Sequence, residues 1–316
     1  MKILVTPTSF RNEANNEARK RIETFANEIV YNETGRPLQP QEILRLLDGV
    51  DGYIAGLDYI DESVIAGAPA SLKVISRYGA GVDRVDISCA KKKGIVVTNT
   101  PGVNSVAVCE LAFGLMLSAA RNIPKLNEAV HRGKWPRVKG IELHGKTLAV
   151  IGFGAIGKSL AVRASAFGMK VVAYDPYPDT DFARRHGVAL LGFEECMKSA
   201  LFVSLHLPLN DQSKGLIGKK SIALMPRGGV IINTARGGII DETAAADALK
   251  SGQLSAVCID TFENEPFINS PLLECENVIM TPHIGAHTQE TLNKMGIMAV
   301  ENCIEVLEGK DCKYAL

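Results

Sequence analysis

Short runs of β-branched and other apolar residues alternate along the chain with stretches whose apolar positions recur every three to four residues. The runs read as strands buried on both faces and the periodic stretches as helices. Their alternation predicts βαβ units and parallel sheets. In the first hundred residues the strand-like runs are 3–6, 53–54, 74–76 and 95–98, with helical patterns near 13–27, 40–47, 61–67 and 83–93. The segment Thr98-Asn-Thr-Pro-Gly102 breaks this rhythm, as Pro and Gly do at boundaries. A helix over 105–121 follows, apolar on most faces (Val106, Val108, Leu111, Ala112, Leu115, Met116), which calls for burial in a core or a subunit interface. From Lys146 a second series runs through 148–151, 171–174, 201–205, 229–232, 256–259 and 278–280, and a last helix over 288–308 comes after it. The pattern predicts two α/β domains, the second inserted in the first, with the last helix returning to the N-terminal domain.

Composition narrows the class. A chain of 316 residues can bury two cores, and 46% hydrophobic with 22% charged residues is the balance of an ordinary globular protein. Lys+Arg and Asp+Glu balance at 35 each, so no global field recruits nucleic acid or an anionic membrane. The longest apolar stretch, 111–120, is too short to span a bilayer, and the opening MKILVTPTSF reads as a strand rather than a signal peptide. Seven cysteines without CxxC spacing point to reduced thiols and a cytoplasmic protein. No metal-ligand spacing and no GxSxG elbow is present, so metal and serine-nucleophile chemistry are not expected.

One motif predicts a dinucleotide. Gly152-x-Gly154-x-x-Gly157, with Ala155 and Ile156 as further cofactor-binding candidates, follows an apolar strand and opens a helix that has no breaker until Gly168. The first glycine permits a tight turn, the second lets the backbone approach a pyrophosphate, and the third lets helix and strand pack closely. The helix N-terminus adds N–H groups and positive dipole. Asp175 ends the next strand, 18 residues past Gly157, where a carboxylate can accept from both ribose hydroxyls. Pro176 and Tyr177 follow it, with no cation to pair a 2′-phosphate, so NAD is expected rather than NADP.

Three later strand ends carry candidate chemistry. In Val230-Ile-Ile-Asn-Thr-Ala-Arg-Gly-Gly238, Arg236 lies between a strand and two glycines, where its fork can bind a carboxylate and a neighbouring 2-oxo oxygen. Asp260-Thr-Phe-Glu-Asn-Glu-Pro266 and Thr281-Pro-His283-Ile-Gly-Ala286 belong together. Oxidising a hydroxyl by hydride loss needs a base for its proton, and the reverse needs an acid; histidine serves for both. A carboxylate on the far ring nitrogen fixes the imidazole. Glu265 is the preferred partner because Pro266 restrains the backbone after it, and Glu263 is the fallback. His131, His144, His186, His206 and His287 lack such a setting, although His206 also ends a strand.

Together these segments resemble the D-isomer-specific 2-hydroxyacid dehydrogenase family, and within it the phosphoglycerate dehydrogenase branch. The likeness also runs through Gly79-Ala-Gly-Val-Asp83, Asn99-Thr-Pro-Gly102, Glu110-Leu-Ala-Phe-Gly114, Ala166-Phe-Gly-Met169, Tyr174-Asp-Pro176 and His206-Leu-Pro-Leu209, so it covers nearly the whole chain. It implies a Rossmann-type NAD domain over 100–284 inserted into a flavodoxin-like substrate domain over 1–99 and 285–316, with a dimerisation arm near 101–145. It implies Arg236 as substrate-binding arginine, His283 as proton donor and acceptor, and Glu265 as the acid that orients it. Asp260, Thr234, Ala235, Gly285 and Ala286 would meet the nicotinamide side, Leu207 and Pro208 the adenosine side, and the amides of Ala80 and Gly81 the substrate carboxylate. The implied activity is reversible hydride transfer between NAD and C2 of a small 2-hydroxy or 2-oxo acid in a homodimer. The substrate would be 3-phosphoglycerate-like, with hydroxypyruvate, glyoxylate or another 2-oxo acid as the alternative, and an NAD-sensing corepressor-like dimer as the alternative of another class.

Two departures bear on this. The sequence stops at Leu316, so the regulatory domains of longer phosphoglycerate dehydrogenases, and serine feedback through them, are not expected. The loop in which some of those enzymes carry a phosphate-binding arginine reads Ala55-Gly-Leu-Asp58 here. Arg11, Arg77, or Lys134, Arg137 and Lys139 from a second subunit are the candidates to take that role.

Overall fold

A computed structural model describes residues 1–11, 13–265 and 269–316. The chain forms two compact units, Met1–Asn104 with Ala286–Leu316, and Ser105–Gly285. The dividing points thus fall at 104/105 and 285/286, against the 99/100 and 284/285 expected from sequence.

The first unit holds β1 (Lys2–Val5), α1 (Asn16–Phe25), β2 (Glu28–Tyr31), α2 (Pro40–Leu46), β3 (Gly52–Ala55), α3 (Glu62–Gly67), β4 (Val74–Arg77), α4 (Ile87–Lys92) and β5 (Val96–Thr98). Its sheet is parallel throughout, in the order β2-β1-β3-β4-β5, which is the flavodoxin-like arrangement. Successive strand residues point to opposite faces, and both faces are covered. Leu4, Tyr53, Ala55, Ile75 and Val97 pack on one side, and Ile3, Val5, Ile54 and Val74 on the other. The strand β2 escaped the sequence reading because it is a four-residue edge with little buried surface. The helix expected over 83–93 is confined to Ile87–Lys92. Asp86 caps it by accepting from Cys89 N, while Val85 is drawn into a bridge with Ile60.

The second unit opens with α5 (Ser105–Arg121) and α6 (Ile123–His131). It continues as β6 (Thr147–Ile151), α7 (Ala155–Ala166), β7 (Lys170–Tyr174), α8 (Thr180–Arg185), β8 (Ala189–Leu190), α9 (Phe193–Ser199) and β9 (Phe202–Leu205). It ends as α10 (Lys219–Leu224), β10 (Gly229–Asn233), α11 (Glu242–Lys250), β11 (Leu254–Ile259) and β12 (Val278–Met280). The seven strands are parallel in the order β12-β11-β10-β9-β6-β7-β8. Leu148, Val150, Phe202, Val230 and Ile232 face α5 and α7, while Ala149, Ile151, Val203, Leu205 and Ile231 form the opposite core. The apolar helix α5 therefore finds its partner inside its own unit: Val108, Ala112, Leu115 and Met116 are buried there. The two-residue edge strand β8 is too short to leave a sequence signal. Among the described residues no single helix is long and apolar enough to cross a membrane.

The last helix, α12 (Gln289–Leu307), belongs to the first unit and packs on α1, β3 and β4. A glycine makes the approach: a Cβ at Gly296 would stand 2.1 Å from Asn15 Oδ1. Asn15 is buried, and its amide donates to Ser9 O at 3.0 Å and Tyr78 OH at 3.2 Å. Gly296→Val is expected to cost roughly 1–3 kcal/mol by overpacking this contact, although valine is the better helix former. Thermal unfolding should shift down by several degrees; an unchanged midpoint would show that the contact is not tight.

Candidate active site

The order of the second sheet reverses between β6 and β9, because the chain builds outward from β6 through β7 and β8, then returns to β9 and builds the other way. Ligands of open parallel sheets bind outside the carboxyl ends of the strands at such a point. The glycine turn lies there. Gly152 has φ 98°, and a Cβ on it would stand 2.5 Å from His206 O, so the ends of β6 and β9 touch through a residue that must be glycine. A Cβ on Gly157 would stand 2.1 Å from Gly152 O, which closes the helix onto the turn. Gly154, the N-cap of α7, is different: a Cβ there would meet nothing within 4 Å. The turn is thus packed on every side but the one in front of the helix, with Ala155 and Ile156 in the first helical turn.

Asp175 follows β7 and is tied to this turn, its Oδ2 accepting from Phe153 N at 2.7 Å and its Oδ1 from Tyr177 N at 2.8 Å. Leu207 and Pro208 follow β9, Thr234 and Ala235 follow β10, and Asp260 follows β11. Of the five buried side-chain polar atoms without a partner among the described residues, three end strands of this sheet: His206 Nδ1, Thr234 Oγ1 and Thr261 Oγ1. Unmatched buried polar atoms normally meet water or a ligand. An open helix terminus, an anchored carboxylate and these atoms along one sheet edge fit a dinucleotide. The carboxylate, followed by Pro176 and the exposed Tyr177, suits a ribose without a 2′-phosphate.

The loops after β10, β11 and β12 form one cluster. A Cβ on Gly237 would stand 2.0 Å from the backbone of Phe262, so the loop bearing Arg236 lies flat against the loop bearing Glu265. Nη1 of Arg236 donates to Ala235 O at 2.7 Å. Nδ1 of His283 lies 2.9 Å from both Glu265 carboxylate oxygens, with the ring 30% and the acid 16% exposed. Glu265 Oε1 also accepts from Phe262 N at 3.2 Å. Glu265 and not Glu263 meets the ring; Glu263 is exposed and lines a separate cavity of about 650 Å³ with Asp241 and Glu242. Pro266, expected to restrain Glu265, lies outside the described residues. His283 has φ 52°, a left-handed conformation that costs a non-glycine residue about 1 kcal/mol and persists only where neighbours hold it. Asp260 supplies that hold, bonding to Thr281, Ile284 and Gly285, and sequence reasoning gave it no such part.

Ala80, Gly81 and Ala286 fall in the first unit. Ala80 O accepts from Asn99 Nδ2 at 2.8 Å, and Gly79 N donates to Thr100 Oγ1 at 3.1 Å, so the Asn-Thr-Pro-Gly segment pins the loop after β4. Asp58, in the loop 55–58, is buried and accepts from Leu38 N at 2.7 Å, Gly56 N at 2.9 Å, Tyr53 OH at 3.0 Å and the Thr6 hydroxyl. Arg77 is buried too and donates to Tyr78 O at 2.6 Å and Ala55 O at 3.2 Å. Arg11 is exposed beside Glu33, and Lys134, Arg137 and Lys139 are exposed beyond α6.

With this geometry in view, comparison with known proteins gives the class. Residues 113–285 match the D-isomer specific 2-hydroxyacid dehydrogenase, NAD binding domain. D-3-phosphoglycerate dehydrogenase of Methanocaldococcus jannaschii is 48% identical over 242 residues, 76% of this chain and 46% of that protein. Hydroxypyruvate reductase of Thermotoga maritima is 42% identical over 280 residues, 87% of this chain and 90% of that protein. A crystal structure of a Thermus thermophilus protein superposes with a TM-score of 0.88 at 34% identity, covering 100% of both chains. The chain belongs to the D-isomer-specific 2-hydroxyacid dehydrogenase family, and its cofactor is NAD. It spans about half the length of the phosphoglycerate dehydrogenases it matches and most of the length of the hydroxypyruvate reductase.

His206 is the one histidine besides His283 at this edge. Its Nε2 lies 2.9 Å from Ser204 Oγ, and burial pushes the imidazole down to about 4, so it stays neutral near pH 7. The unfolded chain takes up a proton at this residue below about pH 6.5 while the folded one does not, so stability is full above that pH and falls as pH drops toward 4. The loss attributable to this ring is of the order of 3 kcal/mol. Melting curves between pH 4 and 6.5 should fall less steeply for His206→Gln than for the parent; parallel curves would contradict the buried neutral ring.

Proposed function

We propose that this protein is an NAD-dependent dehydrogenase that interconverts a small D-2-hydroxy acid and its 2-oxo acid, with Arg236, Glu265 and His283 as the reacting set. The observation that carries the reading is the pairing of His283 Nδ1 with Glu265 at 2.9 Å, on the sheet edge that holds the glycine turn.

A carboxylate only accepts, so Nδ1 carries a proton toward Glu265 and Nε2 is left as the nitrogen that exchanges one with substrate. In oxidation Nε2 takes the hydroxyl proton, and the charge that forms on the ring is stabilised by the acid behind it. In reduction the doubly protonated ring returns the proton to the carbonyl oxygen. Gly152, Gly154, Ala155, Ile156, Gly157 and Asp175 would hold NAD, which when bound would supply the hydride acceptor or donor. Leu207 and Pro208 are assigned to its adenosine side. Thr234, Ala235 and Gly285 are assigned to its nicotinamide side. The fork of Arg236 binds the substrate carboxylate and stabilises charge on the 2-oxygen.

The first substrate reading is 3-phosphoglycerate or a close relative, supported by the 48% identity to an enzyme of that name. A second reading, an unphosphorylated 2-oxo acid such as hydroxypyruvate or glyoxylate, is favoured by one observation. The loop 55–58 presents no cation, and Asp58 within it is committed to the fold. We further propose a cytoplasmic homodimer. Seven free cysteines support a reducing compartment. Exposed Ile123, Val130, Trp135 (79%), Val138 and Ile141 along α6 and the segment after it support an apolar surface for a second copy.

A panel of 2-oxo and 2-hydroxy acids, with and without phosphate, followed by NADH absorbance, tests the reading. Turnover is expected with NADH in preference to NADPH, and preference for NADPH would contradict the part given to Asp175. His283→Ala should lose roughly 10²–10⁴-fold in kcat while NADH binding is kept. Arg236→Lys should lose roughly 10²-fold, because one ammonium cannot reproduce the fork. Near-normal turnover in His283→Ala would remove that residue as the acid–base group.

A further inference from the structure

The five residues around His283 are held from below by a single side chain. Asp260 is 1% exposed, at the end of β11. Its Oδ1 accepts from the Thr281 hydroxyl at 2.6 Å and from Ile284 N at 2.9 Å, and its Oδ2 accepts from Gly285 N at 2.8 Å. The donors bracket Pro282 and His283 on both sides. The backbone adds two bonds, Thr281 N to Ile259 O at 2.9 Å and His283 N to Thr281 O at 3.0 Å. Gly285 completes the fit, since a Cβ there would stand 3.0 Å from Asp260 Oδ2 and 3.3 Å from Val108 Cγ2. The residue so enclosed is His283 in its left-handed conformation, with no glycine to relieve it. Amides and a hydroxyl converging on an anion make strong bonds of fixed direction, and they converge here on one tight turn.

We propose that Asp260 is a positioning residue for proton transfer: its carboxylate clasps residues 281–285 and sets the His283 ring against Glu265. This rests on the reading of His283 as the proton carrier. It differs from the cofactor contact that family resemblance assigns to Asp260, because all three observed bonds run to the turn and serve the ring. The clasp is a matter of both oxygens accepting. An amide in the same place keeps one acceptor but turns its NH₂ toward a backbone N–H, which opens one side of the turn.

The test uses the full chain with Asp260→Asn and Thr281→Val, the second removing one hydroxyl donor and leaving the carboxylate. NADH affinity is read by fluorescence titration, and kcat and KM are read in both directions. Both variants should bind NADH within about twofold of the parent, a change that stays near the noise of coupling. Misplacing a reacting group by a fraction of an ångström should lower kcat roughly 10–100-fold in Asp260→Asn, with a smaller loss in Thr281→Val. In a His283→Ala background neither substitution should cost anything further, since what the clasp positions is gone. Weakened NADH binding with kcat retained, unchanged kcat in Asp260→Asn, or a full additional loss in the His283→Ala background would each overturn the proposal. If Asp260→Asn does not fold, the same readouts on Thr281→Val decide it. Normal turnover in His283→Ala alone would instead sink the underlying reading of the site.

Discussion

The site depends on one constraint: an imidazole must be held at a fixed angle on a turn whose backbone does not favour it. His283 stands in the left-handed region, its Nδ1 bonded to Glu265 and its flanking amides bonded to Asp260. A side chain free to rotate would be in the wrong tautomer or direction for much of the time. Anchored at Nδ1, it has one nitrogen left to work with. The strain of the turn is small beside three bonds to a buried carboxylate, so the conformation is stable although the residue is wrong for it.

The sheet supplies the rest. Because β6, β7, β9, β10, β11 and β12 are parallel, every loop that follows them emerges on the same edge. A glycine turn, an anchored aspartate, an arginine and a histidine–glutamate pair reach that edge from separate parts of the sequence. Glycines decide how closely these loops lie: Gly152 against His206, Gly237 against Phe262 and Gly285 against Asp260. A side chain at Gly237 would part the loops that carry Arg236 and Glu265. The alternating cores on both faces make this edge rigid, since every residue of β10 is buried.

What could be read in the sequence was what a periodic pattern or a short motif states locally. The long strands, α5, α12 and the turn at Gly152–Gly157 announce themselves through apolar runs and glycine spacing. Sequence favoured Glu265 over Glu263 as the partner of His283 through the restraint of Pro266, which lies outside the described residues; the structure sets Glu265 beside the ring. Edge strands β2 and β8 were missed because they bury too little to leave an apolar run. The structural parts of Asp58 and Asp260 left no local signal, because a carboxylate in a loop reads the same whether it faces inward or outward. Whether it is turned inward depends on donors that lie far away in sequence, such as Leu38 for Asp58 and Gly285 for Asp260. Long-range hydrogen bonding to backbone amides has no motif.

The central claim is that Glu265 makes His283 an effective proton carrier, and single-turnover kinetics on Glu265→Gln address it most directly. The amide preserves the shape and a bond to Nδ1 but can no longer stabilise a charged ring. Mixing enzyme preloaded with NADH against a 2-oxo acid should give a burst of NADH oxidation slowed roughly 10²-fold or more, with NADH affinity unchanged. A burst at the parent rate would contradict the account, because it would leave the pair without a part in the chemistry.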